Sequence, residues 1–183
     1  CFNSGFDITN MDGAAVDAFT RNMEIADEAI LQFGDAIVTP LTESTHIHIS
    51  FNYFCCYSHA DEATIKSVLL AYDWPLTNVT YSQPTWRIDS DAASVDHYSI
   101  IVLLDDESQK RMHALVESVE AAVRAAGVDV HVPRAKQEPF HSTLGVVSGK
   151  DFPAMAALEA VNAAVPPGSW NAAGPITLRN PTF

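Results

Sequence analysis

Apolar residues recur every three or four positions in four segments of the chain, a spacing that places them on one face of an α-helix. The first segment, from about Asp12 to Phe33, is followed by Gly34, and glycine commonly ends helices. The second follows Ser58, a suitable cap, and ends at "DWP", because proline disfavours helical backbone before it. The third runs from about Asp106 to Ala126 and the fourth from about Asp151 to Ala164. The apolar stripes of the first three are Val16, Phe19, Met23, Ala26, Ile30 and Phe33; Ile65, Val68, Leu69 and Tyr72; and Met112, Leu115, Val116, Val119 and Val123.

Other segments alternate between apolar and polar residues or are continuously apolar, as β-strands are. The clearest is "THIHISFNYFCCY" at residues 45–57. One face of this strand would carry Ile47, Ile49, Phe51 and Tyr53, and the other His46, His48, Ser50 and Asn52. Further strands are expected in "NVTYSQPTWRI", "HYSIIVLLDD", "VDVHV", "HSTLGVV" and "ITL", whereas "AAVPPGSWNAAGP" is predicted to be a surface connection.

Helices and strands alternate in part, but consecutive strands also occur, so the predicted fold class is α+β. The 183 residues fit a single domain, 1–183, with an N-terminal helical segment, 1–40, packed on it. Hydrophobic residues make up 48% and charged residues 18%, a balance that is ordinary for a globular fold and argues against disorder.

Charge narrows the choice of partners. Ten Lys and Arg against 23 Asp and Glu give a formal net charge of -13, which repels long nucleic acids and anionic membranes. The sequence has no apolar run near the roughly 18 to 20 residues that cross a bilayer. We therefore expect no long nucleic acid and no membrane as partners, leave room for a small anionic ligand, and expect a monomer.

The cysteines and one glycosylation sequon give information on the cellular compartment of the protein. A bridge from Cys1 to either Cys55 or Cys56 would suit an oxidising compartment, whereas three reduced thiols would suit a cytosol. Asn78 begins the sequon "NVT", and the first residue is Cys rather than Met, which suggests a removed upstream segment. We expect a secreted or extracellular protein with a disulfide, with a cytoplasmic location as the alternative.

Two H-x-[ST] triplets are the candidate chemistry: His48-Ile49-Ser50 and His141-Ser142-Thr143. Residues i and i+2 of a strand point the same way, so each triplet presents one imidazole and one hydroxyl on one face. If the two strands lie side by side, the imidazoles can exchange protons with a phosphodiester while the hydroxyls hold its non-bridging oxygens. This chemistry needs no metal and no cofactor.

The pair of triplets, in "HISFNYF" and "FHSTLGVV", resembles the motifs of the 2H phosphoesterase superfamily, which includes 2′-5′ RNA ligase-like proteins, cyclic nucleotide phosphodiesterases and RNA-trimming relatives. The resemblance covers most of the chain but rests on two tripeptides. It implies a bilobal fold of two pseudo-symmetric halves of antiparallel sheet and helices around a central cleft. It also implies a role in RNA processing or the opening of 2′,3′-cyclic phosphates, with His48 and His141 as acid and base, unassigned between them, and Ser50 and Thr143 as phosphate donors.

The sequence departs from the pattern of the superfamily at three points. Ser50 replaces the commoner threonine, which keeps a hydroxyl donor, and His46 adds a third imidazole on the same face. Few basic residues lie near the triplets, and these are Arg87, Arg134 and Lys136, so the expected substrate is a small nucleotide or a short oligonucleotide. Its base is expected to stack on an aromatic ring. The candidates are Phe140, Tyr53 and Trp86.

Two other functions compete with a metal-independent phosphoric diester hydrolase. His46 and His48 form a His-x-His pair that can give two ligands to zinc, with His141 or His59 as a third. That alternative leaves Ser50 without a role, so no metal is our prediction. The other alternative is a noncatalytic extracellular nucleotide-binding module, because a fold can outlive its chemistry. His113 is expected to face solvent, and "LLDDE" at residues 103–107 to begin a helix.

Overall fold

Helices and antiparallel strands alternate around one hydrophobic core. A computed structural model of the protein describes residues 2–8, 11–33, 37–40, 47–54, 56–88, 97–131, 139–148 and 152–183. The helices are α1 (Ala14–Leu31), α2 (His59–Ala71), α3 (Asp106–Ala125) and α4 (Ala154–Ala164), with a short 3₁₀ helix at Pro167–Asn171. The strands are β1 (Phe2–Asp7), β2 (Ile37–Pro40), β3 (His48–Phe54), β4 (Thr77–Val79), β5 (Tyr81–Ile88), β6 (His97–Leu104), β7 (His141–Ser148) and β8 (Ile176–Leu178).

The strands of the described chain form three sheets, and every pairing in them is antiparallel. One sheet has the order β2-β7-β6-β5, a second consists of β1 and β3, and a third of β4 and β8. The mixed, antiparallel architecture confirms the predicted α+β class. The two strands that carry the triplets, β3 and β7, lie in different sheets and are not hydrogen-bonded partners along their backbones.

The apolar stripes of the sequence become the buried faces of the helices. All five predicted stripe residues of α3 are buried. Of the six predicted for α1, five are buried and Phe33 is half-buried. Ser58 caps α2 by accepting a hydrogen bond from the Asp61 amide. Gly127 follows α3 with a φ of 90°, a left-handed conformation that glycine adopts without strain. A single buried cluster contains side chains of all four helices.

The structure differs from the sequence predictions in four segments. Strands β1 and β2 were not predicted, because β1 contains Gly5 and β2 has only four residues. The segment "VDVHV" was predicted to be a strand, but residues 128–131 form none. The connection after α4 contains the 3₁₀ helix, and Trp170 within it is buried, so that connection is only partly at the surface.

No helix in the described ranges combines the length and the apolar character needed to span a bilayer. Cys56 is an exposed free thiol, so the structure does not support the Cys1–Cys56 form of the predicted bridge. Cys1 and Cys55 lie outside the described residues.

Candidate active site

Strand β3 presents the first triplet on a face that changes from exposed to buried along the strand. Ile49 and Phe51 point into the core and are fully buried. On the opposite face His48 is exposed, Ser50 is 8% exposed and Asn52 is buried. The alternation predicted for this strand is therefore present, and it places the imidazole of His48 toward solvent with the hydroxyl of Ser50 deeper on the same face.

A buried polar network fixes the inner end of this face. The side-chain amide of Asn52 donates to Glu120 Oε1 at 3.0 Å, and Arg124 donates to Glu120 Oε2 at 3.2 Å. The hydroxyl of Ser4 donates to the Asn52 carbonyl oxygen at 3.2 Å. Because a shift of one residue would turn every side chain of β3 to the other face, this network helps to hold His48 and Ser50 on the polar side.

The pairing between β1 and β3 is irregular next to Ser50, where Phe51 of β3 has no partner on β1. The pairing of β1 with β3 shifts register between Ser4 and Gly5, a β-bulge of the kind often found next to functional sites. A Cβ atom added to Gly5 would lie 2.9 Å from the Ile49 carbonyl oxygen, so only glycine allows this approach. Gly5 is the cross-strand partner of Ser50, so no side chain from this position of β1 packs against Ser50.

Strand β7 presents the second triplet with the same alternation. His141 and Thr143 are half-buried on one face of the strand. Ser142 and Leu144, on the other face, are fully buried. The residue before the triplet is anchored by helix α3. The Gln109 side chain donates to the Phe140 carbonyl at 2.7 Å and accepts from the Phe140 amide at 2.9 Å, as a neighbouring strand would.

The ring of His141 has a defined orientation. Its Nδ1 lies 2.7 Å from the carbonyl oxygen of Pro139. A carbonyl oxygen only accepts hydrogen bonds, so Nδ1 carries the proton in this contact. Nε2 is therefore the nitrogen that can accept or release a proton in a reaction.

Ser142 joins the two triplets. Its hydroxyl donates to the carbonyl oxygen of His48 at 3.2 Å and lies 2.7 Å from the hydroxyl of Tyr81. Ser142 has only one proton and gives it to His48, so Tyr81 must donate to Ser142. Burial raises the pKa of Tyr81, although the hydrogen bond with Ser142 lowers it, so the phenol remains a donor at ordinary pH. The first triplet is thus held against the second through a buried chain of hydroxyls.

Sequence reasoning missed Ser142 and Tyr81, and it was wrong about Phe140. Phe140 is fully buried, and its ring packs edge-on against His113 with the centroids 4.9 Å apart, so it offers no surface to a base. His113 is half-buried for the same reason rather than solvent-facing. The signal that could have found Ser142 is a hydroxyl on the inward face of an otherwise apolar strand. The side chains of Tyr53 and Trp86 lie outside the described part of the structure, as do His46, Arg134 and Lys136 and the side chain of Arg87.

Comparison with solved structures reveals a likeness along nearly the whole chain. The structure of Usb1 from Kluyveromyces marxianus matches with a TM-score of 0.58 at 11% sequence identity, covering 98% of this chain and 91% of that chain. The chain has the fold of Usb1. Usb1 from the same organism with uridine monophosphate matches with a TM-score of 0.55 at 12% identity, covering 98% of this chain and 90% of that one.

No family model matches the sequence, and no curated protein does. The likeness to Usb1 therefore rests on the course of the backbone. At 11 to 12% identity it establishes the fold and not the activity.

Metal ligands do not cluster near the triplets in the described chain. No group of three or more His, Cys, Asp or Glu side chains among the described residues could hold a metal ion. Because His46 lies outside these residues, the zinc alternative stays untested.

A sizeable cavity lies elsewhere in the molecule. This open groove of about 700 Å³ runs between the end of α2, strand β4 and α3, and its walls include Leu76, Asn78 and Arg111. No residue of either triplet lines it. We place the candidate site by its chemistry, at the triplets, rather than at this groove.

Proposed function

We propose that the protein is a metal-independent phosphodiesterase that opens a 2′,3′-cyclic nucleotide, or another small nucleotide phosphodiester, by acid/base catalysis with two histidines. The observation that carries the proposal is the contact of Ser142 with the His48 carbonyl oxygen, which brings the two triplets together from separate sheets. The motifs of the triplets, which resemble those of 2H phosphoesterases, and the fold of Usb1 support it.

The reaction assigned to the site is the addition of water to phosphorus with departure of one ribose oxygen. One imidazole accepts a proton from the attacking water, and the other donates a proton to the leaving oxygen. The hydroxyls of Ser50 and Thr143 donate to the non-bridging oxygens, on which negative charge accumulates in the transition state. At His141 the exchanged proton is carried by Nε2, because Nδ1 is held by Pro139.

A nucleotide substrate is supported by the second comparison structure, in which Usb1 is seen with uridine monophosphate. A nucleotide therefore fits a protein of this fold. The net charge of -13 favours a single nucleotide or a short oligonucleotide over a long chain, because each added phosphate is repelled by the protein's own field.

The test is hydrolysis of 2′,3′-cyclic nucleotides and short oligonucleotides in the presence of a chelator. We expect turnover by the wild type, and we expect His48→Ala and His141→Ala each to lower kcat by about 10²- to 10⁴-fold. His59→Ala is the control, since His59 is an exposed residue at the start of α2. The products, separated by chromatography, identify the bond that breaks.

Each alternative predicts a different outcome of the same assay. Loss of wild-type activity on chelation, with His46→Ala as damaging as His48→Ala, would indicate a zinc enzyme. Binding of nucleotide without turnover would indicate a noncatalytic extracellular binding module. Near-full turnover by His48→Ala or His141→Ala would show that the acid/base assignment is wrong.

A further inference from the structure

Strand β1 places a carboxylate directly across from the first catalytic candidate. In the antiparallel pairing of β1 with β3, Asp7 is the partner of His48, and Gly5 is the partner of Ser50. Directly opposed residues of an antiparallel pair have their side chains on the same face of the sheet. Asp7 therefore lies on the face that carries the first triplet.

The backbone hydrogen bonds show which kind of pair this is. The amide of Ile8 donates to the Ile47 carbonyl at 2.8 Å, so the next pair along is a hydrogen-bonded one. Gly5 instead exchanges its hydrogen bonds with Thr182, at 3.0 and 2.7 Å, on the side away from β3. Since the two kinds of pair alternate, Asp7 and His48 form a non-hydrogen-bonded pair, in which Cα atoms approach to about 4.5 Å and side chains are closest.

The neighbours of Asp7 on β1 are consistent with this orientation. Phe6 and Ile8 are fully buried in the core, so the side chain between them points to the opposite face. There Asp7 is half-buried, and its Oδ1 atom is itself shielded from solvent. A carboxylate in such a place, next to an exposed imidazole, can accept a hydrogen bond from a ring nitrogen.

We propose that Asp7 is a positioning residue for His48: its carboxylate accepts a hydrogen bond from one ring N–H and turns the other ring nitrogen toward the phosphodiester. The carboxylate would do for His48 what the Pro139 carbonyl does for His141. A group that fixes the orientation and tautomer of a histidine contributes to its chemistry without touching substrate. This role rests on the proposed function of His48.

The test combines kinetics with a measurement that needs no substrate. The variants are Asp7→Asn, Asp7→Ala and Asp7→Glu, with Asp12→Asn as the control, because Asp12 is an exposed aspartate just before α1. In Asp7→Asn we expect kcat to fall about ten- to a hundredfold with KM nearly unchanged. Asp7→Glu, which keeps the carboxylate, recovers part of this loss, and Asp7→Ala does not.

The second readout is the nitrogen NMR spectrum of ¹⁵N-labelled histidine side chains, with His48→Ala used to assign the His48 signals. We expect Asp7→Asn, but not Asp12→Asn, to change the balance of the two ring tautomers of His48. Unchanged His48 signals together with unchanged kcat would overturn the proposal. Lower thermal stability in all three Asp7 variants, with no recovery by Asp7→Glu, would also overturn it, because that pattern is structural.

The NMR measurement separates this inference from the proposed function. If the wild type hydrolyses no phosphodiester in the panel, the proposed function fails, while the response of the His48 ring to Asp7→Asn still decides whether the two side chains interact. If the wild type is active and Asp7→Asn is indistinguishable from it in both readouts, only the inference about Asp7 fails.

Discussion

At the scale of single residues, the contact between the triplets depends on one hydroxyl. Ser142 accepts from the fully buried Tyr81 and donates to the His48 backbone. A buried donor or acceptor that loses its partner has a desolvation cost, because no water replaces the lost bond. Ser142 is the middle residue of the second H-x-[ST] triplet, a position at which the motif specifies no residue type. In this protein that position has a structural role.

We predict that Ser142→Ala destabilises the protein by about 1 to 3 kcal/mol, because the Tyr81 hydroxyl and the His48 carbonyl each lose a buried hydrogen bond. Tyr81→Phe is expected to cost less, about 0.5 to 1.5 kcal/mol, because Ser142 can still donate to His48. Urea unfolding monitored by circular dichroism measures both.

The matched control for this prediction is Ser118→Ala. Tyr72 donates to Ser118 at 2.7 Å in an otherwise similar pair, but that pair is exposed. Water can replace the lost bond there, so the expected cost is a few tenths of a kcal/mol. A Ser142→Ala variant no less stable than Ser118→Ala would show that the buried chain of hydroxyls does not hold the triplets together.

At the scale of elements, the N-terminus of α3 makes hydrogen bonds to Thr80, which lies between β4 and β5, and to Phe140, which precedes the second triplet. Asp105 caps the helix by accepting from the Ser108 amide at 2.8 Å and also accepts from the Thr80 hydroxyl. Burial raises the pKa of the Asp105 carboxyl, but the hydrogen bonds from Thr80 and Ser108 outweigh it and hold that pKa below its usual range. The first turn of the same helix carries Gln109, which anchors Phe140.

We predict that Asp105→Ala lowers the free energy of unfolding by about 1 to 2 kcal/mol at neutral pH, the usual cost of a lost helix cap. Because the folded-state pKa of Asp105 is depressed, its ionic contribution is present above the unfolded-state pKa, near 3.9, and is lost as pH falls through the folded-state pKa. The stability difference between wild type and variant should therefore shrink below about pH 4.

The measurement is urea unfolding of both proteins at pH 7, 5, 4 and 3. Asp106→Ala serves as the control, because Asp106 lies in the first turn but is not the cap. A difference that stays constant down to pH 3 would show that the carboxylate's charge is not what stabilises this helix end.

The elements also show how far the chain pattern predicts structure. The apolar stripe of α3 was sufficient to predict the helix, because a long helix that buries one face repeats apolar residues at regular spacing in the sequence. Strand β1 has no such signal, since it is short and contains Gly5, and its pairing with β3 joins residues more than forty positions apart. For this reason, the sequence alone could not predict that Asp7 lies beside His48.

At the scale of the whole molecule, charge sets the expected substrate length. The formal net charge of -13 opposes polyanions, and the described residues next to the triplets are not basic. A protein that grips a nucleic-acid backbone through Lys and Arg loses affinity steeply with salt, because bound counterions are released. A site that holds one phosphate through hydroxyls and imidazoles releases few counterions, so its affinity should respond little to salt.

We predict that affinity does not rise as oligonucleotide substrates lengthen, and that KM for a cyclic mononucleotide changes little as salt increases from 50 to about 200 mM. Kinetics on substrates of one, four and ten nucleotides at several salt concentrations measure both. Tighter binding of the longest substrate, lost steeply on adding salt, would instead indicate a backbone-binding protein.

What the sequence by itself determined is local: the helices, the strand alternation and the residue types of the two triplets, because each depends on periodicity or on side-chain chemistry within a few positions. The burial of Phe140, which removes it from the candidate base-binding residues, depends instead on what packs against it. The joining of the triplets through Ser142 and the placement of Asp7 opposite His48 were decided only by tertiary structure. Both involve residues far apart in sequence, and local sequence patterns do not specify which distant strands lie next to each other.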